Sequence, residues 1–129
     1  MARWIVHSRT AFNARHALNS YHGEPEESHD HRWGVAVKVG AAELNDECFS
    51  IDFHEVHRVL TDAVAPLRDT DLNHHPEIGR PTPSAERVAE VLAAILRPPL
   101  TAIGGKLLMV SVWEGPDNRV DLVLEPGCS

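Results

Sequence analysis

Residues 29–41 read HDHRWGVAVKVGA, and the reading of this stretch decides the fold. His31, Trp33, Val35, Val37 and Val39 fall at every second position, with no proline between them. Period-2 alternation of β-branched and aromatic side chains is the signature of a strand with one buried face. On such a strand His29 and His31 share a face, while Asp30 points the other way.

A partner strand is needed, and residues 3–18, RWIVHSRTAFNARHAL, supply it with a similar alternation and neither glycine nor proline. The intervening segment 19–28, NSYHGEPEES, has the composition of a loop, so the two strands form a hairpin with a long tip. Downstream, CFSIDF (48–53) reads as a short strand. Asp52 or a residue after it opens a helix through HEVHRVLTDAVAPL, where Phe53, Val56, Val59 or Leu60, and Val64 recur at helical spacing. The polar, proline-broken RDTDLNHHPEIGRPTP (68–83) is a connection. SAERVAEVLAAILR (84–97) is a second helix, capped by Ser84, with Val88, Val91, Leu92 and Ile95 on one face. KLLMVSVWE (106–114) and RVDLVLE (119–125), joined by GPDN, close the chain with another hairpin. The order ββ(β)ααββ implies an α+β domain over 1–129, an antiparallel sheet with two helices on one face.

Composition bounds the function. A chain of 129 residues with 43% hydrophobic content suits one compact domain. A formal charge of -7 and the lack of a lysine and arginine cluster along the sequence argue against a nucleic-acid partner. Apolar runs fall short of the roughly 20 residues a membrane span needs, and MARWIVHSR has no signal-peptide core, so the expectation is a cytoplasmic protein. Cys48 and Cys128 are far apart and outside any CxxC motif, which leaves two inert thiols.

Nine histidines make an HxH pair easy to reach by composition alone. Its chemistry is nonetheless specific: two imidazoles on one strand face can converge on one ion, and His16, near the end of the preceding strand, is the candidate third ligand. Three neutral imidazoles with an open fourth position describe a catalytic zinc site. His54 and His57, three apart on a helix, are an alternative pair, although exposed helix histidines are the commoner case.

The ordered pieces FNARH (12–16), HDH (29–31), IDF (51–53), LxxxxLN (67–73), PSAERVA (83–89) and VWE (112–114) resemble the 6-pyruvoyltetrahydropterin synthases. This group includes the 6-carboxytetrahydropterin synthases of the queuosine pathway. The resemblance covers nearly the whole chain and implies a tunnelling fold (T-fold), assembled as a homohexamer from two trimers with active sites between subunits. It implies zinc held by His16, His29 and His31, with Asp30 where the family has glycine. It also implies a lyase acting on the side chain of a dihydropterin such as 7,8-dihydroneopterin triphosphate.

The resemblance assigns Glu114 to anchoring the pterin. One carboxylate can accept from two adjacent N–H donors of that ring, which gives orientation as well as charge-assisted strength. Ser84 and Glu86 echo a substrate-contacting motif, and the same residues equally read as a helix cap. The sequence departs from the family where the acid–base groups belong. No cysteine precedes His29, and Glu24, Glu26 and Glu27 occupy the loop instead; Glu26 is the favoured replacement base. The family's Asp-His pair aligns with Arg68 and Asp69. Arg68 is then available to a substrate tail and Asp69 to acid–base work, unless His74 or His75 supplies the missing imidazole. The alternative reading is a non-catalytic zinc- or pterin-binding homologue.

Overall fold

The computed structural model describes residues 3–124. Strands β1 (Trp4–His16), β2 (His29–Ala41), β3 (Lys106–Glu114) and β4 (Asn118–Val123) form one sheet in the order β1-β2-β3-β4, every neighbour antiparallel. Helices α1 (Phe53–Val64) and α2 (Ala85–Ala102) lie in the connection from β2 to β3. The α+β architecture follows from where each element hides its apolar side.

One face of the sheet is built in rows set by the strand register. Val6 pairs with Val39, Phe12 with Trp33, and Val35 and Val37 with Val112 and Val110. All of these side chains are buried. Val56, Leu60 and Val64 of α1, with Val88, Leu92, Leu96 and Leu100 of α2, close over the rows. Phe12 and Trp33 stack across the pair at 6.4 Å between ring centroids, which builds a rigid wall near one end of the core. Beyond that wall the same face continues with Ala14 opposite His31 and His16 opposite His29, after β3 has ended.

Several expected boundaries move. The strand expected over 48–53 is absent. There the Asn45 side chain accepts from the backbone N–H groups of Glu47 and Phe49, a local turn that competes with strand pairing. Helix α1 starts at Phe53 with Asp52 as its cap, accepting from His54 N at 2.8 Å. Phe53 is 71% exposed rather than on the buried stripe, because at the first helical position it overhangs the core. Ile95 is also exposed, and Leu96 takes the core position instead.

Helix α2 runs through Pro98 and Pro99 to Ala102, past the expected end at Arg97. The carbonyls that lose donors to these prolines belong to residues 94 and 95, which are on the exposed side, and buried Leu100 anchors the last turn. The first strand stops at His16 rather than at residue 18. The last strand ends at Val123, and Glu125 and Cys128 lie outside the described residues.

The stretch expected to be a simple connection also has structure. After a 3₁₀ turn at Ala65–Leu67, residues 69–73 run beside β1: Asp69 N donates to Asn13 O, Arg15 N to Thr70 O, and Arg15 bridges Asp71 in parallel. This covers the far end of an otherwise open edge. A second 3₁₀ turn, Leu72–His74, then sets Asn73 against Ala17.

Candidate metal centre

Four side chains meet on the helix-bearing face just past the Phe12–Trp33 wall. His16 is 1% exposed, and His29, His31 and Glu114 are about one-third exposed at the rim. Glu114 ends β3 in the row of Trp33, which aims its carboxylate along the sheet toward the histidine rows. Its Oε1 lies 2.8 Å from His16 Nε2, 3.0 Å from His31 Nε2 and 3.7 Å from His29 Nε2.

Backbone carbonyls orient two of the rings. His16 Nδ1 donates to Pro83 O at 2.8 Å, and His29 Nδ1 donates to Glu27 O at 2.9 Å. A neutral imidazole that donates from Nδ1 presents a lone pair at Nε2. The lone pairs of His16 and His29 therefore face a carboxylate oxygen, an arrangement that repels unless a proton or a metal cation sits among the donors. The three imidazole ring centroids lie 4.4 to 5.5 Å apart. For His31, burial pushes the pKa below the usual 6.5; Glu114 pulls it up, and His29 and His16 lower it further.

The donor set fits zinc. One ligand atom from each of the four residues lies within 4.8 Å of the others. Tetrahedral zinc with bonds of about 2.0–2.1 Å needs donors about 3.3 Å apart, and the three Glu114 contacts straddle that spacing. Imidazole and carboxylate are also the ligand types of catalytic zinc sites. Trp33 seals the inner side, edge-on to His16 at 4.9 Å between centroids, with its Nε1 donating to Ala14 O.

The tip loop delivers one of its three glutamates to this centre. His22 and Gly23, both at positive φ, make a tight turn closed by two backbone hydrogen bonds between Tyr21 and Glu24. Glu26 is then fixed to Leu18 twice, its N–H donating to Leu18 O and its Oε1 accepting from Leu18 N at 3.1 Å. The same Oε1 is 3.8 Å from His29 Nδ1. Glu24 and Glu27 are exposed, and Glu27 reaches the centre only through its carbonyl.

The other sequence candidates stand apart. Arg68 Nη1 donates to Ala11 O, and Asp69, at φ 57°, follows it along the outer edge of β1. Among the described residues no hydrogen bond or ion pair links either to the histidines. The Ser84 hydroxyl caps α2 by accepting from Arg87 N, and Glu86 is exposed in the first turn. Asp30 faces the opposite side, 3.8 Å from Arg15. His57 meets Ser8 Oγ, and His75 Nδ1 accepts from Glu77 N and Ile78 N, so both rings are engaged elsewhere.

Two positioning groups escape a reading by side-chain type. The Pro83 carbonyl belongs to the backbone, and only the position of PSAER next to a helix start hints at it. Asn73 Oδ1 accepts from Ala17 N and its Nδ2 donates to Ala17 O, both at 2.8 Å, pinning the residue after His16. An asparagine in a loop that returns to a strand end is the available signal.

The family model described as 6-pyruvoyl tetrahydropterin synthase matches residues 5–124. No curated protein sequence matches significantly. The fold is similar to the Caenorhabditis elegans 6-pyruvoyl tetrahydropterin synthase, with TM-score 0.77, 17% identity and coverage of 97% of this chain and 98% of that one. It is similar to the Plasmodium falciparum enzyme, with TM-score 0.73, 16% identity and coverage of 95% and 98%. A Plasmodium vivax 6-pyruvoyltetrahydropterin synthase variant, in which a catalytic glutamate is replaced by alanine, matches with TM-score 0.68, 12% identity and coverage of 95% and 98%.

Proposed function

Because the chain belongs to the 6-pyruvoyl tetrahydropterin synthase family, we propose that it is a zinc-dependent lyase acting on the side chain of a dihydropterin such as 7,8-dihydroneopterin triphosphate. The observation that carries this reading is the convergence of three imidazole Nε2 atoms with a tethered glutamate beside them. His16, His29 and His31 hold the ion. When bound, zinc supplies Lewis acidity toward the hydroxyl oxygens of the substrate side chain.

Glu26 is the general base in this reading. Its backbone tether to Leu18 holds the carboxylate at the rim of the histidine cluster, where it takes a proton from the side chain and returns it during isomerisation. That a glutamate is a catalytic residue in the Plasmodium vivax enzyme supports a carboxylate in place of the missing cysteine. With the ion held by the three histidines, Glu114 is not a ligand in this reading and accepts the pterin N–H donors at the edge of the centre. In this reading Ser84 and Glu86, which follow Pro83 at the start of α2, contact the substrate. Arg68 and Asp69, on the outer edge of β1, serve a neighbouring subunit's site in a homohexamer in the cytoplasm.

The test is product analysis after mixing zinc-loaded protein with dihydroneopterin triphosphate or sepiapterin. Consumption by the wild type, together with loss of turnover but unchanged zinc content in Glu26→Gln, supports the assignment. Full turnover by Glu26→Gln refutes the base. The separation of Arg68 and Asp69 from the histidines favours a second reading, a zinc- or pterin-binding homologue without turnover. No consumption of either compound by a zinc-loaded, pterin-binding protein selects it.

A further inference from the structure

The face of the sheet turned away from the helices carries a different chemistry. The register sets Ala11, Gly34, Trp113 and Arg119 in one row across all four strands. Small side chains at Ala11 and Gly34 leave a hollow of about 410 Å³ beside the Trp113 ring, with Arg9 and Arg32 flanking it. Trp113 and Arg9 lie over Gly34, where an added Cβ would meet Trp113 Cε3 at 3.2 Å and Arg9 Nη2 at 3.3 Å.

The arginines are preorganised and short of counter-charge. The guanidinium carbon of Arg9 lies 3.9 Å from the Trp113 ring centroid, a cation–π contact that holds the group against the ring. Among the described residues Arg9 and Lys38 have no carboxylate partner, and Arg32 donates only to the neutral Asn13 Oδ1 at 3.3 Å. The acids on this face are already engaged: Asp30 with Arg15, and Asp121 with Arg119 and Ser111. A chain of net charge -7 thus gathers unpaired cations around one concavity, and no stretch of its sequence clusters them.

We propose that this hollow is an oxyanion site for a free inorganic oligophosphate such as pyrophosphate, with Arg9 and Arg32 each taking one phosphoryl group. A guanidinium edge binds phosphate oxygens in a bidentate fork, and two such edges from adjacent strands suit two linked phosphoryl groups. The site lies on the opposite face of the sheet from the histidines and does not depend on the pterin reading.

Isothermal titration of pyrophosphate into the full chain at low salt, zinc-loaded and after chelation, tests the assignment. Saturable binding is expected in both forms, stronger than for monophosphate. Arg9→Gln and Arg32→Gln should each weaken it roughly tenfold or more. Arg9→Lys, which keeps the charge and loses the fork, should fall between wild type and Arg9→Gln. Arg97→Gln, an exposed change on α2, should bind as wild type. Absence of saturable binding, equal weakening by Arg97→Gln, or loss of binding on chelation would each overturn the proposal. Circular dichroism of the exposed-residue variants checks that the fold is kept.

Discussion

Replacing Asn73 by alanine removes both hydrogen bonds of the clamp on Ala17, each 2.8 Å long and half-buried. At about 1 kcal/mol net per bond, the loss comes to about 2 kcal/mol. For a chain of this size that lowers Tm by roughly 6–10 °C. Asn73→Asp separates the clamp from mere packing, because the shape is kept and only the donor is lost. The introduced carboxylate still accepts from Ala17 N, but its second oxygen replaces an N–H donor and faces the Ala17 carbonyl. At pH 7 this variant should be at least as unstable as the alanine variant. The repulsion raises the folded pKa of the new carboxyl above its unfolded value. The folded state then binds more protons, so the deficit relative to Asn73→Ala shrinks as pH falls toward about 4. Urea melts of both variants at pH 7 and pH 4 measure this. Because Ala17 follows His16, zinc affinity should also drop about 10- to 100-fold, the usual effect of losing an orienting partner. A stability loss under about 0.5 kcal/mol for the alanine variant, or wild-type stability of the aspartate variant at pH 7, would refute the clamp.

The lowered pKa of His31 predicts that the metal-free protein loses stability on acidification. Between that lowered value and 6.5 the unfolded chain binds more protons, so stability rises with pH across this window and is flat above it. Chemical melts at pH 5, 6 and 7 should show the slope, and His31→Gln should flatten it. Gly79→Ala would set a Cβ 2.4 Å from Asn73 O and 2.8 Å from His75 O, both backbone atoms. It should cost about 1–3 kcal/mol in thermal melts and weaken the Asn73 clamp with it.

The hairpin was legible because both of its strands alternate over long stretches, and the helices because Asp52 and Ser84 cap them. The segment 48–53 misled because three of its residues, Phe49, Ile51 and Phe53, favour strands, yet Asn45 ties the adjacent backbone into a turn that propensity does not weigh. The open-face cations were illegible for another reason. Arg9, Arg32, Lys38 and Arg119 are isolated in sequence, and only the sheet register makes them neighbours.

The same register carries the histidine cluster. Twelve residues separate His16 from His29, so no tight turn dictates how β1 meets β2. The pairing is fixed instead by burial, with Val6 against Val39 and Phe12 against Trp33 on the core side. A slip of β1 by one residue would turn those side chains out to solvent and send His16 to the cationic face with them. The apolar residues of β1 therefore select the metal-binding arrangement although none of them touches it. The two histidines of HDH declare a shared face, but the third is recruited only by the hydrophobic pattern of its own strand.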